Sequence, residues 1–79
     1  MKLQVLGMGC PKCAKLFESV KKALEILERS DAELEKVEKL ADIAAMGAML
    51  TPALAVDGEV LFAGRVPSPE EIADLLKNR

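Results

Sequence analysis

Two cysteines, Cys10 and Cys13, are the side chains of this sequence best suited to chemistry. Pro11 and Lys12 separate them, and the group lies where a short apolar stretch gives way to a long amphipathic one. This spacing at the start of a helix is typical of a redox-active disulfide, because one turn brings both sulfurs to the same end and the helix terminus favours a thiolate. The same spacing also binds soft metal ions, so the surrounding elements must distinguish the two chemistries.

The composition predicts one small domain over residues 1–79. A chain of this length buries only about 60% of the surface that its unfolded form exposes. Hydrophobic residues at 51% and charged residues at 30% are typical of a soluble globular protein. The 11 basic and 13 acidic residues are interleaved, and Phe17 and Phe62 are the only aromatic residues, so we expect no nucleic-acid binding.

No apolar segment of the sequence is long enough for a signal peptide or for the roughly 20 residues of a membrane span. We therefore expect a cytoplasmic protein that does not associate with a membrane. In a reducing compartment, cysteines three positions apart are better suited to chemistry or metal binding than to a structural disulfide.

The first elements along the chain are a strand and a long helix. Residues 3–6 are mostly apolar and end at Gly7 and Gly9, a pattern that predicts a buried strand followed by a sharp loop. Between residues 11 and 29, apolar side chains recur at three- and four-residue spacing, which predicts a surface helix with one buried face. These side chains are Cys13, Leu16, Phe17, Val20, Leu24 and Leu27.

A second strand and a second helix follow. Residues 32–37 alternate along the chain and include many charged side chains, a pattern that predicts an edge strand with one solvent-exposed face. Residues 40–46 are rich in alanine and favour a short helix, which Gly47 is well placed to end. We expect Met46 and Met49 to fill gaps in the core, as methionine commonly does.

The hairpin is the clearest prediction in the sequence. Asp57 and Gly58 lie between the apolar stretches 53–56 and 59–63, which predicts a two-residue turn with positive φ at both central positions. Gly64 then permits a tight exit or a close contact.

Residues 68–71 form a capping box with proline at the first helical position, and they predict a final helix whose Ile72, Leu75 and Leu76 face inward.

The resulting order is strand, helix, strand, helix, strand, strand, helix. Strands that alternate with helices imply parallel crossovers, whereas the last two strands form an antiparallel hairpin. We therefore predict an α/β fold with a four-stranded mixed sheet flanked by three helices.

Several motifs in this order resemble the thioredoxin superfamily, most closely the small thioredoxin- or glutaredoxin-like redox-disulfide proteins of archaea and bacteria. The motifs are Gly9 to Cys13 after the first strand, Gly47 followed by Thr51-Pro52-Ala53-Leu54, the Asp57-Gly58 hairpin, and Phe62-Ala63-Gly64 before the last helix. Each motif alone is common, but the set is specific and spans nearly the whole chain. The resemblance implies a thioredoxin-like βαβαββα fold.

The resemblance also implies a thiol–disulfide oxidoreductase in which Cys10 attacks and Cys13 resolves. It places Pro52, in the cis form, beside the two cysteines, with Thr51 as a substrate contact. The physical chemistry agrees with these roles, since the start of a helix stabilises a thiolate at Cys10. We expect Cys13, one turn inside the helix, to be more buried and to stay protonated until a mixed disulfide forms.

The resemblance further implies that Pro11 and Lys12 tune the redox potential. The implied partners are a disulfide-containing protein or small-molecule substrate and a reductase that supplies electrons. We expect a monomer that uses no cofactor and no metal.

Two departures from the family pattern limit the resemblance. Gln4 lies near the position where thioredoxins have a buried Asp, so no proton acceptor for Cys13 is evident in the sequence. Glutaredoxins have an acidic pair after the glycine-rich turn, where this chain has residues 65–67, Arg-Val-Pro. The resemblance therefore does not predict whether glutathione is used.

The main alternative is a soft-metal carrier, because residues 7–13 also resemble the Gly-Met-x-Cys-x-x-Cys loop of heavy-metal-associated domains. Two thiolates suit Cu(I). That fold, however, needs a hairpin directly after the first helix and a closing strand at its end. A zinc site needs about four ligands, and one chain with two cysteines and no histidine cannot complete it without carboxylates. A dimer that shares four cysteines or bridges an iron–sulfur cluster stays open.

Overall fold

Strands and helices follow one another in the order that the sequence predicts. In the computed structural model, which describes residues 1–9 and 11–78, the elements are β1 (Lys2–Leu6), α1 (Pro11–Ile26), β2 (Glu33–Val37), α2 (Leu40–Ala45), β3 (Ala53–Val56), β4 (Glu59–Ala63) and α3 (Pro69–Leu76). The sheet order is β2-β1-β3-β4. Strand β1 pairs parallel to β2 and antiparallel to β3, and β3 pairs antiparallel to β4. The predicted mixed sheet, with β2 at an edge, is confirmed.

The two central strands, β1 and β3, place most of their apolar side chains in the core because helices cover both faces of the sheet. On one face, Leu3 and Leu54 belong to a core cluster that includes Leu16 of α1 and Ile72 of α3. On the other face, a smaller cluster packs β1 and β3 against Ile43 of α2. A strand covered on both sides is expected to be a nearly continuous apolar stretch, and β3 is apolar throughout, whereas β1 also contains Lys2 and Gln4.

Helix α1 begins at Pro11, as predicted, but it ends at Ile26 rather than near Arg29. Glu28 has a φ of 54°, in the left-handed region. The backbone N–H of Arg29 donates to the carbonyl of Leu24 over 3.1 Å, which closes the helix with a Schellman-type turn. Such turns usually contain glycine, and this one does not, so no residue in the sequence signals that the helix ends before Arg29.

The predicted cap and hairpin turn are both present. Ser68 precedes α3, and its hydroxyl oxygen accepts a hydrogen bond from the backbone N–H of Glu71 over 3.2 Å. In the hairpin, Asp57 and Gly58 have φ values of 50° and 86°, as a two-residue turn of this kind requires.

One prediction for α3 is wrong. Leu75 is 39% exposed, and Ala73 is buried in its place, together with Ile72 and Leu76. The helical face that meets the core is therefore rotated by a fraction of a turn from the one expected. None of the helices in the described part of the chain is long and apolar enough to cross a membrane.

Candidate active site

Cys13 lies in the first turn of α1 and is only 7% exposed. Its neighbours in the chain, Pro11 and Lys12, are exposed. Cys13 belongs to the same buried face of α1 as Leu16, and this explains its burial. The burial of Cys13 near the start of α1 agrees with the prediction, whereas its role as the resolving thiol stays a prediction. Cys10 lies outside the described residues, so its placement stays a prediction.

Gly7, directly after β1, allows the sheet to approach Cys13. A Cβ atom added to Gly7 would overlap the Cys13 Sγ, and it would lie 3.2 Å from the Cys13 Cβ. Gly7 is held in place, because its backbone N–H donates to the carbonyl of Val37 over 3.0 Å. From the sequence we expect Gly7 in a sharp loop. In the structure its missing side chain leaves space for the Cys13 Sγ.

The loop before β3 brings Pro52 to the same place. The Thr51-Pro52 peptide bond is cis, as the resemblance implies. The Pro52 Cα lies 4.0 Å from where a Cβ on Gly7 would be, so Gly7 lies between Cys13 and this loop and leaves room for both. The Pro52 carbonyl accepts a hydrogen bond from the Gly64 N–H over 2.8 Å, which ties the loop to the end of β4. Pro52 is buried and Thr51 is exposed.

Exposed apolar side chains lie close in sequence to Gly7 and to the loop that contains Pro52. Met8 is 65% exposed, Met49 is 92% exposed and Leu50 is 62% exposed. The prediction that Met49 fills the core is therefore wrong, whereas Met46 is half-buried and packs against the α2 cluster. Gly47, with a φ of 82°, turns the chain out of the helix, so residue 49 no longer follows the helical spacing that points Met46 inward.

A cavity of about 90 Å³ lies beside Cys13. Its lining comes from the ends of β1 and β2, the loop after β1 and the start of α1, and consists of Val5, Gly7, Gly9, Cys13, Ala14, Lys36 and Glu38. The Lys36 Nζ is 4.7 Å from the centroid of the Phe17 ring. The Glu38 Oε2 is 3.4 Å from where a Cβ on Gly9 would lie.

The sequence did not identify Lys36 and Glu38 as site residues. In the sequence they belong to a run of charges typical of a solvated edge strand. The parallel pairing of β1 with β2 sets Lys36 opposite Val5 and brings the carboxyl ends of both strands together. The only signal in the sequence was the predicted parallel crossover, which makes such a meeting of strand ends possible.

Gln4 does not contribute to the cavity. Its side-chain amide donates to the Glu35 Oε1 over 2.7 Å, and the Lys2 Nζ lies 3.6 Å from the same oxygen. Within residues 1–9 and 11–78, no three His, Cys, Asp or Glu side chains are grouped so that they could hold a metal ion.

Comparison with known proteins gives matches over nearly the whole chain. A profile of the family described as the thioredoxin domain matches residues 1–77. A protein of Methanocaldococcus jannaschii named thioredoxin is 43% identical over 76 residues, which cover 96% of this chain and 86% of the relative. A protein of Methanothermobacter thermautotrophicus, also named thioredoxin, is 42% identical over 76 residues, which cover 96% of this chain and 97% of the relative.

Proposed function

This chain belongs to the thioredoxin family, whose members exchange thiols and disulfides, and we propose that it does so with Cys10 as the nucleophile and Cys13 as the resolving thiol. The observation that supports this division of roles best is the burial of Cys13. A thiol that is 7% exposed is poorly accessible to a protein substrate, but in the first turn of α1 it follows Cys10 by three positions in the sequence, which is the spacing of a resolving thiol.

The exchange proceeds in two steps with balanced electrons. The Cys10 thiolate attacks one sulfur of the substrate disulfide, a Cys10–substrate bond forms, and the other substrate sulfur leaves as a thiolate. Cys13 then attacks the Cys10 sulfur, and this releases the second substrate thiol and leaves a Cys10–Cys13 disulfide. Two electrons and two protons pass from the dithiol to the substrate, and a reductase restores the dithiol.

The loop that contains Thr51 is the proposed contact for the substrate. Thr51 is exposed, while the adjoining Pro52 is buried near Gly7 and its carbonyl accepts a hydrogen bond from the Gly64 N–H. An exposed residue on a fixed backbone can offer its peptide groups to an extended segment of substrate without a large ordering cost. Pro11 and Lys12, which are exposed in the first turn of α1, are the proposed tuners of the redox potential.

The experiment that tests the proposal traps the mixed disulfide. The Cys13→Ser variant, incubated with an oxidised model protein, is expected to accumulate a covalent adduct through Cys10 that peptide mass spectrometry locates. The matched control is Cys10→Ser, which keeps one cysteine but is expected to form no adduct. Adduct formation through Cys13 in the control instead of through Cys10 in Cys13→Ser would reverse the two roles, and no adduct in either variant would refute the mechanism.

The order of the elements differs from that of a soft-metal carrier. Strand β2 stands alone after α1, where the carrier fold needs a hairpin, and the last described element is the helix α3. The relatives are named thioredoxin. No observation favours the metal-carrier alternative.

A further inference from the structure

The resolving step requires that Cys13 lose a proton, and the site must supply a group to receive it. The inference that follows rests on the proposed function, because only a resolving thiol needs such an acceptor. A thiol that is 7% exposed has little contact with bulk water, so a basic group that shares its cavity is the best placed acceptor.

The cavity beside Cys13 has charged side chains on one wall. Among the lining residues, α1 contributes Cys13 and Ala14, and β1 contributes Val5, none of which carries a formal charge in its ordinary state. The charged groups, Lys36 and Glu38, both come from the β2 side. At about 90 Å³ the cavity has room for water, which needs about 10–15 Å³ of such space.

We propose that the Glu38 carboxylate receives the Cys13 proton, directly or through water in the cavity, as Cys13 attacks the mixed disulfide at Cys10. A bond forms between the sulfurs of Cys13 and Cys10, the bond from Cys10 to the substrate breaks, and the substrate sulfur leaves with the electron pair. The proton then returns from Glu38 to the leaving thiolate through solvent. The Lys36 ammonium group offsets the negative charge that develops at Cys13.

The other nearby acidic and polar groups do not serve this role. The Gln4 amide has no basic oxygen of comparable strength, and it is hydrogen-bonded to Glu35. Glu35 lines a neighbouring groove against α2, which Lys36 and Glu38 also line, but it does not line the Cys13 cavity. Gly9, with a φ of 82°, presents no side chain to Glu38, and this leaves space for the carboxylate above the loop.

The test separates the two steps by stopped-flow measurement with the chromogenic disulfide 5,5′-dithiobis(2-nitrobenzoate). The reduced wild-type protein is expected to release two equivalents of thionitrobenzoate per chain. The first reports attack by Cys10 and accelerates with reagent concentration. The second reports attack by Cys13 on the mixed disulfide and does not depend on reagent concentration.

In Glu38→Gln the first phase is expected to stay within about twofold of wild type, while the second slows about 10- to 100-fold at pH 7. This lies at or below the lower limit of the usual range for general acid–base catalysis, about 10²–10⁴-fold, because Glu38 is exposed and solvent can partly replace it. Glu38→Asp should recover part of the rate. The matched control is Glu33→Gln, an exposed glutamate at the opposite end of β2, the strand that Glu38 follows, and outside the cavity, which should leave both phases within about twofold.

The pH dependence distinguishes proton transfer from a purely structural role. If Glu38 accepts the proton, the deficit of Glu38→Gln shrinks at high pH, where hydroxide deprotonates Cys13 without help. A second phase within about twofold of wild type from pH 6 to 9, or a deficit of equal size at every pH, would overturn the proposal. Release of only one equivalent by the wild type would instead refute the two-cysteine exchange on which the proposal rests.

Discussion

Replacing Gly7 with alanine adds one methyl group at the point where the end of β1 meets the start of α1. The added Cβ would overlap the Cys13 Sγ and would lie 3.2 Å from the Cys13 Cβ. Neither partner can move away easily. The Gly7 N–H is bonded to the carbonyl of Val37, and Cys13 is fixed in the first turn of a helix.

Two opposing effects determine how far Gly7→Ala changes the free energy of unfolding. Added volume in a well-packed region costs about 1–3 kcal/mol of unfolding free energy. Gly7 is not among the glycines with positive φ, so alanine can adopt its backbone conformation and should recover about 0.4–1 kcal/mol through the lower entropy of the unfolded chain. We expect Gly7→Ala to destabilise the protein by about 1–2 kcal/mol net. For a domain of this size, each 1 kcal/mol lowers Tm by about 4–8 °C.

Urea denaturation followed by circular dichroism, with reductant present, measures this cost in two backgrounds. Cys13→Ala removes the sulfur atom that the new methyl group would meet. The cost of Gly7→Ala should therefore fall by about 1 kcal/mol when Cys13 is already alanine, which is within the usual range for residues in contact. The reasoning is refuted if Gly7→Ala has the same cost in both backgrounds, or if it leaves the wild-type protein as stable as before.

Two further predictions concern residues away from the cavity. Ser68→Ala removes the acceptor for the Glu71 N–H at the start of α3 and should cost about 1 kcal/mol in urea denaturation, so a change within about 0.3 kcal/mol would show that the cap contributes little. Met49→Gln, at a side chain that is 92% exposed, should change stability by no more than about 0.5 kcal/mol, whereas Met46→Ala should cost about 1–2 kcal/mol. Equal thermal shifts for these two methionines would contradict the assigned burial.

Most of the fold was predictable because its signals are local. The turn at Asp57 and Gly58 needs two residues with positive φ, and the cap at Ser68 needs one hydroxyl three residues before the N–H that it accepts from. The failures have a different origin. The end of α1 depends on Glu28, a residue that rarely adopts a left-handed φ, and the exposure of Met49 depends on the direction of the chain after Gly47.

Only those residues of the candidate site that belong to a sequence motif could be predicted. Cys13 and Pro52 belong to patterns visible in the sequence, and the structure brings both against Gly7. Lys36 and Glu38 carry no such pattern. They reach the cavity because β1 and β2 are parallel with a particular register, and a shift of one residue would turn Lys36 to the other face of the sheet.

The edge position of β2 explains why a small domain would place a proton acceptor at Glu38 rather than inside its core. Burying a carboxylate costs several kcal/mol unless it is fully paired, which is a large fraction of the stability of so short a chain. In the described part of this chain, no charged or polar side chain is buried. A carboxylate at the end of an edge strand stays hydrated on one side while it reaches the Cys13 cavity on the other. Because Glu38 stays partly hydrated, its carboxylate carries little desolvation cost. The same position allows it to pass the proton of the nearly buried Cys13 thiol to solvent.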